Sequence, residues 1–404
     1  MTLATTLRNA ALVLFLAFLW QGCGPNDGQQ AATSDKKAQQ PAAPKANDTP
    51  AYANADRYWN DLTRLLAGLE PDSGSTLATL EAMPAAQSHR QFFSNSWQVQ
   101  EQKYVGPLSK WAAEALGEGH KAKQQVFYPF SGADFMTIHT IYPHAPHYVL
   151  FGLEPEGQVP DIRKLNSDRV AVNLQNLQRS LNAILAWSFF RTLDMTDDFR
   201  RTELNGTLPV LLAFMGRKGN TVLDIYRIKV TAEGKVVRVG KDEDIPMKTA
   251  DGVTTGNEIV FRQGADGPLQ RLQYFSVDVS NDGLNKEPGF LAYLQSLKPT
   301  NTYVKSASYL MYKSYFDKIK DLTLHVSTLY VQDDSGMPLS MIDRKVWDLT
   351  FYGYYTRPIA LFANYYQPAL WDIHNKEKLA KPLDFGIGYQ FRKGTSNLMV
   401  ARRK

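Results

Sequence analysis

Cys23 is the only cysteine among 404 residues, so whatever folds after it must be held by a core and not by an internal disulfide. Its surroundings say why it stands alone. A positive residue, Arg8, precedes an uncharged apolar run from Ala10 to Trp20, and Gln21 and Gly22 lead to the cysteine. That order is the order of a secretory signal. The run is far short of the ~20 residues that span a bilayer, and nothing comparable follows. The sequence therefore predicts export, with no later crossing of a membrane. Apolar residues make up 44% of the chain and aromatics 12%, enough for a sizeable core. A formal charge of +5 is small for this length, so no nucleic-acid partner is expected.

A small residue followed by cysteine at the end of the signal resembles a bacterial lipoprotein signal, although Trp20 stands where such signals usually carry Leu, and Leu19 lies one place earlier. The resemblance implies that residues 1–22 are removed and that Cys23 carries the lipid. Cleavage by an ordinary signal peptidase just beyond, with Cys23 incidental, is the alternative. Residues 23–54, rich in Ala, Gln, Pro, Asp and Lys, cannot bury enough apolar surface to offset chain entropy and read as a disordered tether. Gly24, not an acidic residue, follows the cysteine. By resemblance to Gram-negative sorting signals this implies an outer-membrane lipoprotein facing the periplasm or the cell surface.

The exported body reads as α+β. Trp59, Leu62, Leu65 and Leu66 recur at helical spacing, and a second helix is expected over Tyr104–Leu116, with Pro107 in its first turn and Gly117 near its end, so 55–122 forms a helical section. Residues 123–235 then read as strands, helix, strands. The expected strands are QQVFYPF, FMTIHTIYP, HYVLFGLE, LPVLLAFM, TVLDIYRIKV and KVVRV, and the helix carries Leu174, Leu177, Leu181, Ile184, Leu185, Phe189 and Leu193. After a polar loop over 236–257, the order recurs in 258–404: strands IVFR and LQYFSVDV, a helix over Tyr303–Lys320, strands STLYVQ, MPLSMI and WDLTFYGYY, and last strands near FGIGYQF and NLMVA.

The recurrence keeps a register. Phe151, Gly152, Leu153 and Glu154 fall on Phe275, Ser276, Val277 and Asp278 at an offset of 124; Ser180, Ile184 and Phe190 fall on Ser306, Leu310 and Phe316 at 126; Phe214, Gly219, Val222 and Ile225 fall on Val331, Gly336, Leu339 and Ile342 at 117. This pattern predicts two related ββαββ units about a pseudo-two-fold, with a binding groove between them. The competing explanation is that two helices of such a protein align this well by choice of register.

His139, His144 and His147 in HTIYPHAPH are the only histidines close enough in sequence to suggest a shared metal ion, with Asp134 and Glu154 as nearby acids, but the spacing matches no zinc signature and a solvated turn explains it. No cofactor is implied. Asp333 and Asp334 in VQDDSG suit an acid/base pair or equally a hairpin turn with Gly336 in the left-handed position, and Glu154 in GLEPEG suits a turn as well. Asp134, Glu154, Asp278 and Asp333 are the candidate catalytic carboxylates. Ser131 lacks the spacing of a nucleophile elbow. The run FYGYYTRPIALFANYYQPALW packs rings densely, and Tyr354, Tyr355, Tyr365, Tyr366 and Trp371 are candidates for contact with a glycan or a partner protein.

The strings YPFSGADF, YVLFGLEPEG, SASYLMY, VQDDSGMP, YYQPALW and PLDFGIGY together resemble a family of exported bacterial proteins with no established activity. The resemblance covers about 125–400 and implies one continuous fold there, without assigning catalytic residues. Two functional expectations follow. One is a non-catalytic envelope protein that binds another envelope component, protein or glycan. The other is a periplasmic hydrolase using carboxylates in the groove.

Overall fold

The computed structural model describes residues 52, 55–159, 161–187, 202–240, 243 and 252–404, with side chains omitted over 182–187. Cys23, the expected export signal and nearly all of the expected tether lie outside the described residues, as do Phe189 and Leu193.

The helical section forms as its periodicity demands. Arg57–Leu66 (α1) is capped by the Asp56 carboxylate and buries Leu62, Leu65 and Leu66; Pro84–Gln100 (α2) and Gly106–Leu116 (α3) follow, α3 starting at a proline turn and stopping where Gly117 takes φ 55°.

Behind it, the described residues form one sheet of ten strands: β1 Val126–Tyr128, β2 His147–Gly152, β3 Asn220–Val230, β4 Val236–Arg238, β5 Thr255–Gln263, β6 Leu269–Ser276, β7 Thr300–Val304, β8 Ser327–Gln332, β9 Trp347–Gly353 and β10 Asn397–Arg403. Their order is β4-β3-β5-β6-β2-β1-β7-β8-β10-β9. The middle five, β6-β2-β1-β7-β8, run parallel, and antiparallel strands extend the sheet at both edges.

A parallel sheet must be covered on both faces, and the alternation of side chains along each strand supplies two apolar surfaces. Tyr128, Tyr148, Leu150 and Tyr274 point into a core shared with α1, α2, α3, Phe135–Ile141 (α4), Ser167–Trp187 (α5) and Leu208–Arg217 (α6). Phe127, Val149, Phe151 and Phe275 point the other way, against Pro288–Ser296 (α7) and Asp317–Val326 (α8). The chain is thus mixed α/β with interleaved layers, where the sequence suggested an α+β layout.

Several expected strands are helices or turns. FMTIHTIYP contains α4, because Asp134 accepts the Thr137 amide and starts a helix whose residues are all buried, so its even apolar distribution imitated a strand. LPVLLAFM contains α6 for the same reason, with Pro209 in its first turn. The expected helix at Tyr303–Lys320 is helical only from Asp317, where α8 begins; before that it is the end of β7 followed by 3₁₀ turns, since Ser308 and Tyr309 sit at φ 56° and 50° and no right-handed helix passes through them. MPLSMI holds a 3₁₀ turn at Leu339–Met341, and FGIGYQF holds only the Ile387–Gln390 bridge. The loop expected over 236–257 is trimmed at both ends by β4 and the start of β5.

The register at offset 124 has a structural counterpart: β2 and β6 are adjacent parallel strands, and Phe151 pairs with Phe275 and Gly152 with Ser276. The other two matches join unlike elements. Ser180 lies in α5 and Ser306 just after β7; Phe214 lies in α6 and Val331 in β8. The expected ββαββ order is not the order observed, and the two regions share one continuous sheet.

Candidate functional site

In an open parallel sheet, ligands gather outside the carboxyl ends of the strands where the winding direction reverses. Here the chain winds from β1 to β2 on one side and from β7 to β8 on the other, which puts that position at the ends of β1, β7 and β8. The segments leaving these strands are PFSGAD, KSASY and DDSGM. The backbone is under local constraint there: Phe130, Ser308 and Tyr309 are left-handed, a conformation that non-glycine residues adopt rarely and that concentrates at functional sites.

Asp134 and Lys305 form a buried ion pair, Nζ to Oδ2 2.9 Å, with side chains 5% and 6% exposed. The same Oδ2 accepts the Tyr128 hydroxyl at 3.0 Å, while Oδ1 accepts the Thr137 amide. Asp134 pairs with Lys305 and holds it in place. On the next strand end, Asp333 Oδ1 accepts the Ser335 amide at 2.9 Å and the Ser335 hydroxyl. Ser335 Oγ in turn accepts the Ser306 amide at 2.9 Å and ties the end of β8 to the end of β7. Burial, and after it the neighbouring Asp334, raise the Asp333 carboxyl to about 7, with Ser335 and Lys305 opposing the rise. Asp334 is also raised by burial, against hydrogen bonds from Tyr309 (2.6 Å) and Asn397 (3.1 Å). The two carboxyls of the crevice are thus held differently: Asp134 is paired with an ammonium, and burial pushes Asp333 toward its protonated form.

Asp333 and Asp334 line a small cavity together with Gln332, Asn397 and Gln367, with space for about one water molecule. A cover formed by Leu383–Ser396 closes the crevice. Gly388 (φ 67°) rests on the Asp333 carboxylate, and Tyr389 Oη accepts the Ser308 amide at 2.6 Å. The strings YPFSGADF, SASYLMY, VQDDSGMP, YYQPALW and PLDFGIGY, far apart in the chain, all contribute residues to this crevice or its rim.

The expected carboxylates divide accordingly. Asp134 and Asp333 come together around Lys305. Glu154 is buried nearby and accepts the Tyr274 hydroxyl at 3.4 Å, so it is not the solvated turn residue expected, although Gly157 does take the left-handed turn position. Asp278 is exposed and accepts the Ser280 amide in a turn. VQDDSG is no hairpin turn. Both aspartates are buried, and Gly336 is small because Gln332 Oε1 would lie 2.2 Å from a Cβ there, not because of a positive φ. Ser131 bonds to the Gly132 and Phe151 carbonyls as a turn residue.

The three histidines do not meet. His139 is packed in the core against Phe135, Tyr148 and Phe261; His144 is exposed; and His147 projects from the opposite face of β2 from Tyr148, toward Glu258 and Gln273. Among the described residues no group of three His, Cys, Asp or Glu side chains is placed to hold a metal ion.

The aromatic run also divides. Tyr354 (47%), Tyr366 (42%) and Trp371 (37%) are exposed; Tyr355 is fully buried, its hydroxyl accepting the Gln367 amide; and Tyr365 belongs to the rim of the crevice, where its hydroxyl accepts from Lys313 at 2.9 Å. The strand expected through FYGYYTRPIALF stops at Gly353.

Sequence reasoning missed Lys305, Tyr309, Tyr128 and Gly388. The available signal was a polar or small-residue segment straight after each short apolar strand, in YVKSAS and VQDDSG, though only the parallel pairing shows that these ends are neighbours. No known protein family, curated protein or solved structure matches the chain.

Proposed function

We propose that the chain is an exported, lipid-anchored protein of the cell envelope that acts as a hydrolase through the crevice at the ends of β1, β7 and β8. The anchor is Cys23, and residues 24–54 let the folded body reach its substrate from the outer membrane. The single observation that carries the catalytic reading is the pair of differently held carboxyls around one ammonium: Asp134 paired with Lys305 at 2.9 Å, and Asp333 buried so that its carboxyl is raised. In such a site water adds to the attacked centre and gives its proton to solvent, Asp333 gives a proton to the leaving group as that bond breaks, Lys305 stabilises negative charge developing on the attacked centre, and Asp134 positions Lys305. Substrate reaches them when the cover over Asp333 moves aside.

The test is an envelope extract incubated with wild-type protein, Asp333→Asn or Asp134→Asn, followed by mass spectrometry of released fragments. Fragments produced by the wild type and lost in Asp333→Asn support hydrolysis; an extract left intact by the wild type overturns it. Mass spectrometry of the mature N-terminus tests the anchor, which requires an acylated Cys23.

The non-catalytic reading rests on a separate observation, the exposed rings of Tyr354, Tyr366 and Trp371 on one segment. On that reading these rings hold an envelope protein or glycan, and Tyr354→Ala reduces capture of that component without altering the fold.

A further inference from the structure

Tyr309 is held in an unusual way. Its ring lies parallel to those of Tyr365 and Tyr389, with centroids 5.4 and 5.6 Å away and interplanar angles of 15° and 12°, while Phe362 and Tyr312 complete a cage at 5.0 and 5.3 Å. Its hydroxyl donates to Asp334 Oδ2 at 2.6 Å. The ring is fully buried although the preceding residue, Ser308, is exposed, and the four caging rings are only partly buried. Ser308 and Tyr309 both occupy the left-handed region, without a glycine to make it easy. A ring delivered from the surface by constrained backbone into a cage of rings, with its hydroxyl on a buried carboxylate, occupies the place of a ligand.

We propose that this cage is a sugar-binding subsite of the crevice, and that Tyr309 fills it in the ligand-free protein and swings out when a pyranose ring enters. The inference rests on reading the crevice as a substrate site and adds the class of substrate. A pyranose presents flat C–H faces that pack on aromatic rings and hydroxyls that seek carboxylates and amines. The cage has both: the faces of Tyr365, Tyr389 and Phe362, the Asp334 carboxylate at its floor, and Lys313 Nζ at its rim on the Tyr365 hydroxyl. The short 3₁₀ turns at Ala307–Tyr312 and Ser314–Phe316 place Tyr309 on a connecting segment outside both β7 and α8.

The experiment measures binding alone, by calorimetry on the full exported chain, with the β-1,4-linked trisaccharide of N-acetylglucosamine as the pyranose probe and 4-methylphenol as a copy of the Tyr309 side chain. Tyr309→Gly empties the cage; Tyr309→Asn, which tolerates the left-handed backbone, is the second variant should the first fold poorly. The expected result is saturable trisaccharide binding at least tenfold tighter in the folded variant than in the wild type, and lost when Tyr365→Ala is added. Equal binding by variant and wild type, or no trisaccharide binding by a folded variant, overturns the proposal. Binding of 4-methylphenol alone overturns it too, because the cage is then ordinary aromatic packing. Asp333→Asn separates this outcome from the hydrolytic reading: it abolishes turnover if that reading holds and leaves trisaccharide binding unchanged if the subsite exists.

Discussion

Gly388 closes on Asp333 so tightly that a Cβ on the glycine would stand 1.9 Å from the carboxylate Oδ2, and the glycine is left-handed as well. The cover of the crevice is therefore fitted to the group it covers. Gly388→Ala should destabilise the fold by about 2–3 kcal/mol or lift the cover, since both the clash and the backbone conformation oppose a side chain. Asp333→Ala should recover part of that loss by removing the clashing oxygen. Urea denaturation of the two single variants and the double variant measures the coupling, and strictly additive losses would show that the two residues do not meet.

Asp333 makes stability depend on pH in a stated direction. Its folded carboxyl is raised to about 7 from an ordinary value near 4, so between those values the native state holds more protons than the unfolded state. This group's contribution is most favourable below pH ~4, declines as pH rises, and levels off above pH ~7. Asp333→Asn should remove that decline, gaining on the wild type as pH is raised from 4 to 8. Thermal melts across that range check it.

His139 titrates with the opposite consequence. Burial among Phe135, Tyr148 and Phe261 lowers its folded value to about 3, while the unfolded imidazole protonates near 6.5. Its contribution is intact above pH ~6.5 and is lost as pH falls toward 3. His139→Phe should keep the fold at pH 7 and lose less stability than the wild type between pH 6 and 4.

Breaking the Asp134–Lys305 pair from one side leaves a buried charge without compensation. Lys305→Met should cost about 3–5 kcal/mol, and the double variant Lys305→Met, Asp134→Asn less than the sum of the two single losses. Denaturation midpoints give the comparison.

Neighbouring tyrosines on the aromatic run should behave differently. Tyr355→Ala empties a fully buried position and should cost about 3–5 kcal/mol, whereas Tyr354→Ala, at a position 47% exposed, should stay within about 1 kcal/mol of the wild type. Circular-dichroism melts distinguish them, and only Tyr354→Ala then serves as a test of surface binding.

Periodicity was legible in helices with one wet face, and strands were legible through their composition. α1, α3 and the described part of α5 stand where their apolar spacing put them, and β2, β3, β8 and β10 coincide with runs rich in β-branched and aromatic residues. It failed at α4 and α6, which are buried on every side and so carry no contrast between faces. It failed again at Tyr303–Phe316, where helical spacing of apolar residues is produced by a strand end and two tight turns.

From the sequence alone came the expectation of an export signal, the lone cysteine and the length of polar chain behind it, because these are properties of consecutive residues, and from it came also the apolar content that makes a core possible. The crevice was decided elsewhere. Asp134, Lys305 and Asp333 are separated by well over a hundred residues or by a whole helix, and they meet only because β1, β7 and β8 lie side by side in parallel with their carboxyl ends together. The burial that gives Asp333 its proton is likewise a property of the packed sheet and of the glycine laid across it, not of any stretch of chain that contains the residue.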